Sequence, residues 1–171
     1  MKNIETYLKS ILAGIFIITA LSSCDEDGYD DYDPGNTPAA SMSGEWFINI
    51  TDEASGETIA ANALHRTYDD NNGGLWVSDR LTATTFSGYY LESVVNYDLT
   101  NLTFGGNNLN NLAEDDTSVT ITEGKIIKDG ARSESGAVVD SIYFKAVFNY
   151  APEKTLIYAG RGRTGFVEDE H

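Results

Sequence analysis

Ile142, Phe144, Ala146 and Phe148 place apolar side chains on every second residue, and the same period recurs at Trp46, Ile48 and Ile50. Successive side chains of a strand point to opposite faces, so this pattern gives one face to a core and the other to water. After residue 21 no stretch keeps a 3.6-residue apolar period over three turns. The chain is therefore read as all-β. Further strands are expected at 59–68, at Leu75-Trp76-Val77 after the turn Asn72-Gly73-Gly74, and along one face through Tyr89, Leu91, Val95 and Tyr97. Residues 99–104 follow a turn near Thr100-Asn101, and 155–163 follow Ala151-Pro152-Glu153. Between Val119-Thr120-Ile121 and Lys125-Ile126-Ile127, the pair Glu123-Gly124 reads as a hairpin turn.

Roughly eight strands in adjacent hairpins either stack as a sandwich or close as a barrel, and closure removes exposed edges. The expectation is a single antiparallel, roughly eight-stranded barrel over residues 44–171. Eight strands also enclose an interior wide enough for one small ligand.

The N-terminus has a different grammar. Lys2 and Lys9 precede an apolar run at 11–21 (ILAGIFIITAL), followed by Ser22, Ser23 and Cys24. Eleven residues are too few to cross a hydrocarbon core of about 30 Å as a helix, so 1–23 reads as a removable signal. Leu21-Ser22-Ser23-Cys24 resembles the lipobox of bacterial lipoproteins, which makes Cys24 the expected lipidation site and an acyl anchor the expected link to a membrane. Residues 24–43 are acidic and rich in Gly, Pro and Ser, and are expected to form a flexible tether. Asp25, Glu26 and Asp27 resemble the acidic export signal of surface lipoproteins in the Bacteroidetes, which implies an outer-membrane protein exposed at the cell surface. Asp25, Asp27, Asp30, Asp31 and Asp33 lack the spacing of a calcium loop.

From Cys24 onward, 26 acidic residues oppose 9 basic ones, a net charge of −17. Such a surface repels phosphate backbones, which argues against nucleic acid as a partner. His65 and His171 are the only histidines, and the sequence has no H-E-x-x-H, G-x-S-x-G or Cys/His cluster. No metal or cofactor is expected, and no catalytic residue is assigned. His65 is read as a histidine on the polar face of a strand. Gly160-Arg161-Gly162-Arg163-Thr164-Gly165 matches the letters of a dinucleotide fingerprint, but six residues remain after it, too few for the helix that would receive a pyrophosphate. Its glycines are read as permitting a bend or a close backbone approach.

Two features remain as candidate binding elements. Arg161 and Arg163 share a strand face with Ile157 and Ala159, opposite Leu156, Tyr158 and Gly160. On an interior face their guanidiniums would grip a carboxylate or phosphate; on an exterior face they would neutralise neighbouring acids. The aromatic set Trp46, Tyr68, Trp76, Phe86, Tyr89, Phe144, Phe148 and Tyr158 either fills a core or lines an apolar pocket. A ten-carbon chain buried there would gain roughly 8 kcal/mol gross, less several lost to immobilisation, so micromolar binding is within reach.

Gly44-Glu45-Trp46, Leu75-Trp76-Val77-Ser78-Asp79, the run from Val119 to Ile127, Asp140-Ser141-Ile142-Tyr143-Phe144 and the run from Gly160 to Phe166 resemble a Bacteroidetes lipoprotein family described as lipid-binding putative hydrolase. The resemblance implies a calycin-like (lipocalin-like) barrel exported as a lipoprotein. Three readings follow. The first is a binder of a lipid, such as a fatty acid, or another small apolar ligand. The second is a structural or accessory surface lipoprotein with a filled core. The third is a hydrolase, which rests on the family description alone.

Overall fold

Eight antiparallel strands follow one another around a closed barrel in sequence order. A computed structural model describes residues 37–79 and 88–170. The strands are β1 (Gly44–Asp52), β2 (Thr58–Asp69), β3 (Leu75–Ser78), β4 (Glu92–Asp98), β5 (Thr103–Asn111), β6 (Thr117–Arg132), β7 (Val138–Phe148) and β8 (Leu156–Gly162). The ends of the sheet meet where β1 pairs with β8, from Trp46 opposite Gly162 to Asp52 opposite Leu156. Each of the eight strands is thereby paired with a neighbour on both sides, over part or all of its length. The expected signal segment, Cys24, the tether up to residue 36, Phe86 and His171 lie outside the described residues.

The alternation in β7 sends Ile142, Phe144, Ala146 and Phe148 inward, each no more than 2 % exposed. Leu156 and Tyr158 join them from β8, and Trp46, Ile48 and Ile50 from β1. Gly160 continues the inward row of β8 without a side chain, because a Cβ there would strike the Phe47 carbonyl oxygen and Ile48. Of the glycines of the false fingerprint, Gly160 therefore serves a close approach of β8 to β1, while Gly165 takes a φ of 76°.

Two bulges reset which residues face inward. On β2, Asn62 has a φ of 51°, and its N–H donates to the Asn49 side chain at 2.9 Å. The extra residue turns Ala60, Ala63, His65 and Thr67 toward the interior. On β6, Glu123 has a φ of 55°, and the register shifts between Thr122 and Lys125. The expected hairpin at Glu123-Gly124 is therefore a bulge within one 16-residue strand. Val119 and Ile121 face inward before it and Ile126 after it, while Ile127 is 47 % exposed.

Other expectations change too. Tyr89 has a φ of 57° and precedes β4, so it does not share a strand with Val95 and Tyr97. The strand expected at 99–104 runs instead from Thr103 to Asn111, through the polar stretch Gly105-Gly106-Asn107-Asn108.

Within the stretch expected to be a tether, residues 37–43 pack on the barrel. They form a 3₁₀ turn at Ala40–Met42, and Ala39 and Met42 are fully buried. The Ala39 N–H donates to Asp69 at 3.0 Å. Trp46 Nε1 donates to Thr67 Oγ1 at 2.9 Å, and that hydroxyl donates to the Met42 carbonyl at 2.5 Å. This chain of bonds closes the end of the barrel at which β1 begins. Near the C-terminus, the buried Asp169 carboxylate accepts from Ser135 N–H, Ser135 Oγ and Thr164 Oγ1 at 2.6–2.9 Å, tying 163–170 to the β6–β7 hairpin tip. Burial alone would raise its pKa, but these hydrogen bonds outweigh that and hold it well below the ordinary carboxylate range.

Candidate functional site: the barrel interior and its openings

The centre of the barrel is a column of aromatic rings. Phe144 and Tyr158 stack with centroids 4.5 Å apart, Phe104 meets Phe144 edge-on at 5.7 Å, and His65 meets Tyr158 edge-on at 5.8 Å. Cross-strand register makes these contacts, since Phe144 lies directly opposite Tyr158. Tyr158 is fully buried and its hydroxyl donates to the Tyr89 carbonyl at 3.4 Å. Burial, with the nearby charge of Asp79, pushes the Tyr158 pKa well up and keeps the phenol neutral.

His65 faces this column instead of water, which corrects the polar-face reading; the bulge at Asn62 is the reason. Its Nδ1 lies 3.0 Å from the Ala63 carbonyl oxygen. That oxygen only accepts, so Nδ1 carries the proton and Nε2 is the basic nitrogen. Burial lowers the His65 pKa to about 4, and the ring is neutral at physiological pH.

At the end of the barrel opposite the 3₁₀ turn, Tyr89, Phe148 and Tyr150 lie ring to ring with centroids 5.4–5.9 Å apart. Lys154 reaches over the Tyr89 ring at 5.7 Å and pairs with Asp52 at 3.3 Å. Tyr150 is 46 % exposed, so this cluster is the barrel's aromatic surface at that mouth. A left-handed backbone at a residue as bulky as Tyr89 is uncommon and is held here by the packing around it.

The wall of the barrel also carries an open surface groove, along which the bordering strands stay paired to one another. It has a volume of about 560 Å³ and is bordered by Asn96, Tyr97 and Asp98 of β4, Thr103, Phe104 and Gly105 of β5, and Glu123, Gly124 and Lys125 of β6. It forms where the β5–β6 ladder shifts register between Phe104 and Gly106.

The structure thus sorts the expected binding residues by location. Trp46, Phe144, Phe148 and Tyr158 face the interior, and Tyr89 stands at the mouth. Tyr68 and Trp76 lie on the outer face, stacked on each other at 6.0 Å, with Arg66 over Tyr68 at 5.1 Å. Each neighbours residues that point inward (Thr67 for Tyr68, Leu75 and Val77 for Trp76), so alternation turns both rings out. Arg161 and Arg163 are also exterior. Arg161 covers Phe47 at 5.4 Å and pairs with Glu134 at 3.5 Å, whereas Arg163 bridges Glu45 and Glu170 at 2.6–2.8 Å. They hold the barrel's outer surface and its C-terminal strap together. Tyr97, Phe104, Lys125, Tyr150 and Lys154 are not among the binding residues expected from the sequence, although Tyr97 and Lys125 are expected on strands. Phe104 and Tyr97 do fall on alternating apolar positions, but nothing local marks the groove they border.

A closed up-and-down barrel of eight strands with an aromatic interior belongs to the class of barrels that can hold a single small ligand. The chain is a member of the lipid-binding putative hydrolase family, whose model matches residues 31–167. No curated protein matches the chain. Family and barrel together fit a lipid-binding role.

Proposed function

We propose that this protein is a cell-envelope lipoprotein, anchored through Cys24, whose barrel binds a lipid or another small apolar ligand. The observation that carries the binding reading is the continuous aromatic column Phe104–Phe144–Tyr158 at the barrel's centre. A chain of methylenes lying along these rings would gain about 0.8 kcal/mol per buried group. The anchor rests on the order of basic, apolar and small residues ending in Cys24, and the outer-membrane, surface-exposed location rests on the acids behind it.

Protein purified from its own host and stripped of lipid should give a saturable, displaceable signal with a fluorescent fatty acid at micromolar concentration. Phe144→Ala should change that affinity. Absence of a displaceable signal would remove the binding function. Cys24→Ala should move the protein out of the membrane fraction, and unchanged retention there would remove the anchor.

One observation favours a second reading, an accessory lipoprotein with a filled barrel. Every hydrophobic residue of the core is at most 7 % exposed, and Phe144 is in ring contact with both Phe104 and Tyr158. Native mass spectrometry of the host-purified protein separates the two, since a carrier retains a bound small molecule and a filled barrel does not.

A further inference from the structure

Resting on the reading of Cys24 as an acylated anchor, we propose that the end of the barrel at which β1 begins lies against a bilayer surface of zwitterionic lipid, with Phe166 and Val167 set into its interface. β1 and β7 begin at this end and β8 finishes there, so residues 37–43, the β6–β7 hairpin tip and the C-terminal strap at 163–170 all gather on it.

The strap is built inside out. Val167 is 86 % exposed, more than any other large apolar side chain among the described residues, and Phe166 is 53 % exposed, whereas Asp169 is fully buried. An ordinary surface turn shows its acids to water and turns its apolar side chains in. Here the acids do the holding. Asp169 accepts from Ser135 and Thr164, and Glu170 accepts from Arg163 at 2.7 and 2.8 Å. With those bonds made on the barrel side, the 3₁₀ turn Val167–Asp169 leaves Val167 pointing away, and Gly165, with a φ of 76°, supplies the bend before it. Val138 begins β7 beside the hairpin tip that Asp169 grips, and it is 51 % exposed. Apolar side chains that stand together outside a core mark a contact surface.

What these side chains meet follows from where the chain joins the barrel. The packed segment on this end starts at residue 37, and the 13 residues 24–36 lead to it from the acyl chains expected on Cys24. Fully extended, they span at most about 45 Å, and as a flexible coil roughly 20 Å. The 11 residues of β7 run for about 36 Å, or roughly 28 Å along the axis of a barrel with strands tilted by about 40°. To bring the opposite end to the bilayer, the tether would have to pass the barrel's height as well. The end carrying Phe166 and Val167 is therefore the one held close, and a weak partition of two side chains becomes an intramolecular event. The class of lipid follows from charge. Asp70, Asp98, Glu134 and Glu168 outnumber Arg132 on the loops of this end, so an anionic headgroup surface is repelled and a zwitterionic one is not. The opposite end, where Tyr89, Phe148 and Tyr150 stand, then faces away from the bilayer.

The test places the acylated mature protein in phosphatidylcholine vesicles. Acylation occupies Cys24, the only cysteine, so Val167→Cys and Leu112→Cys each supply one free thiol for an environment-sensitive fluorophore. Leu112, 52 % exposed at the opposite end, is the control. The fluorophore at 167 should shift to the blue and be quenched by brominated phosphatidylcholine at a depth of about 5–10 Å, while that at 112 should stay unquenched. Phe166→Ser should reduce the quenching at 167 without releasing the protein, and so should replacing part of the lipid with phosphatidylglycerol. Equal quenching at the two positions, or none at 167 in protein that stays on the vesicles, would overturn the docked end and leave the anchor intact. A blue shift at 167 that is present without vesicles and lost on dilution would assign these side chains to a second copy of the chain, and would overturn it too. Quenching that rises with phosphatidylglycerol would overturn the zwitterionic surface. Host-purified protein whose mass shows no acyl chain on Cys24 would remove the anchor reading and this proposal with it.

Discussion

Two walls of the same barrel are built differently. In the wall running β6, β7, β8, β1, β2, each ladder is long: Val119 to Arg132 pairs with Phe148 to Val138, and Trp46 to Asp52 pairs with Gly162 to Leu156. In the wall of β3, β4 and β5 the ladders are short. Leu75 to Ser78 pairs with Val95 to Glu92, and β4 meets β5 only from Asn96 to Asp98. Beyond that, side chains replace the ladder: Ser93 Oγ donates to the Asn110 carbonyl at 2.9 Å, and Asn111 Nδ2 donates to the Tyr90 carbonyl at 2.9 Å. The long wall carries the unbroken apolar rows; the short wall carries the glycine- and asparagine-rich strand and borders the groove. Rows of buried side chains fix a strand strongly, and a polar strand with few inward groups is fixed weakly. Stability is thus concentrated on one side, and the other side is the more weakly fixed.

The largest expected effect contrasts one ring from each wall. Phe144→Ala should cost about 3–5 kcal/mol in urea unfolding, and Tyr97→Ala, which loses a half-buried ring, only about 1–2 kcal/mol. Equal losses would mean that the two walls share the load and would break the comparison.

His65 gives the comparison a pH axis, since β2 belongs to the long wall. Its folded pKa of about 4 lies below the value of about 6.5 for an unfolded histidine, so the unfolded state takes up the proton first. The stability from the neutral ring is complete above pH 6.5 and is lost as the pH falls toward 4. A loss of roughly 3 kcal/mol across that window is expected. Carboxylates titrate near its lower edge, so the measurement is the difference between wild type and His65→Leu. A wild-type curve no steeper than the variant's would show that His65 is not held neutral by burial.

Met42 sharpens the role of residues 37–43. Met42→Ala should cost about 2–3 kcal/mol, because it empties a fully buried site against β2. A change below about 0.5 kcal/mol would return these residues to a dispensable tether. The smallest effect belongs to the surface: Lys128→Ala removes an exposed ion pair with Asp140 and should change stability by less than about 0.5 kcal/mol.

What could be read in advance followed the unbroken rows. Ile142 to Phe148, Trp46 to Ile50 and the last strand all show their inward faces in the two-residue period. The short wall was harder to read because β5 has little apolar signal between Gly105 and Asn108. The candidate site was hardest, because its position depends on bulges. At Glu123-Gly124 the same residues serve a turn or a bulge, and the long partner strand β7 decides in favour of the bulge. The bulge at Asn62 likewise brings His65 inside and leaves Tyr68 outside.

By itself the sequence determined an all-β chain, its antiparallel order and the core side of its best strands, since alternation is a local property of consecutive residues. Only the tertiary structure decided that Trp76, Tyr68, Arg161 and Arg163 lie outside and that Met42 caps the barrel. It also decided that Phe104 and Lys125, 21 residues apart, border one groove. A strand's parity beyond a bulge is set by the register of its neighbours, and register belongs to the closed sheet.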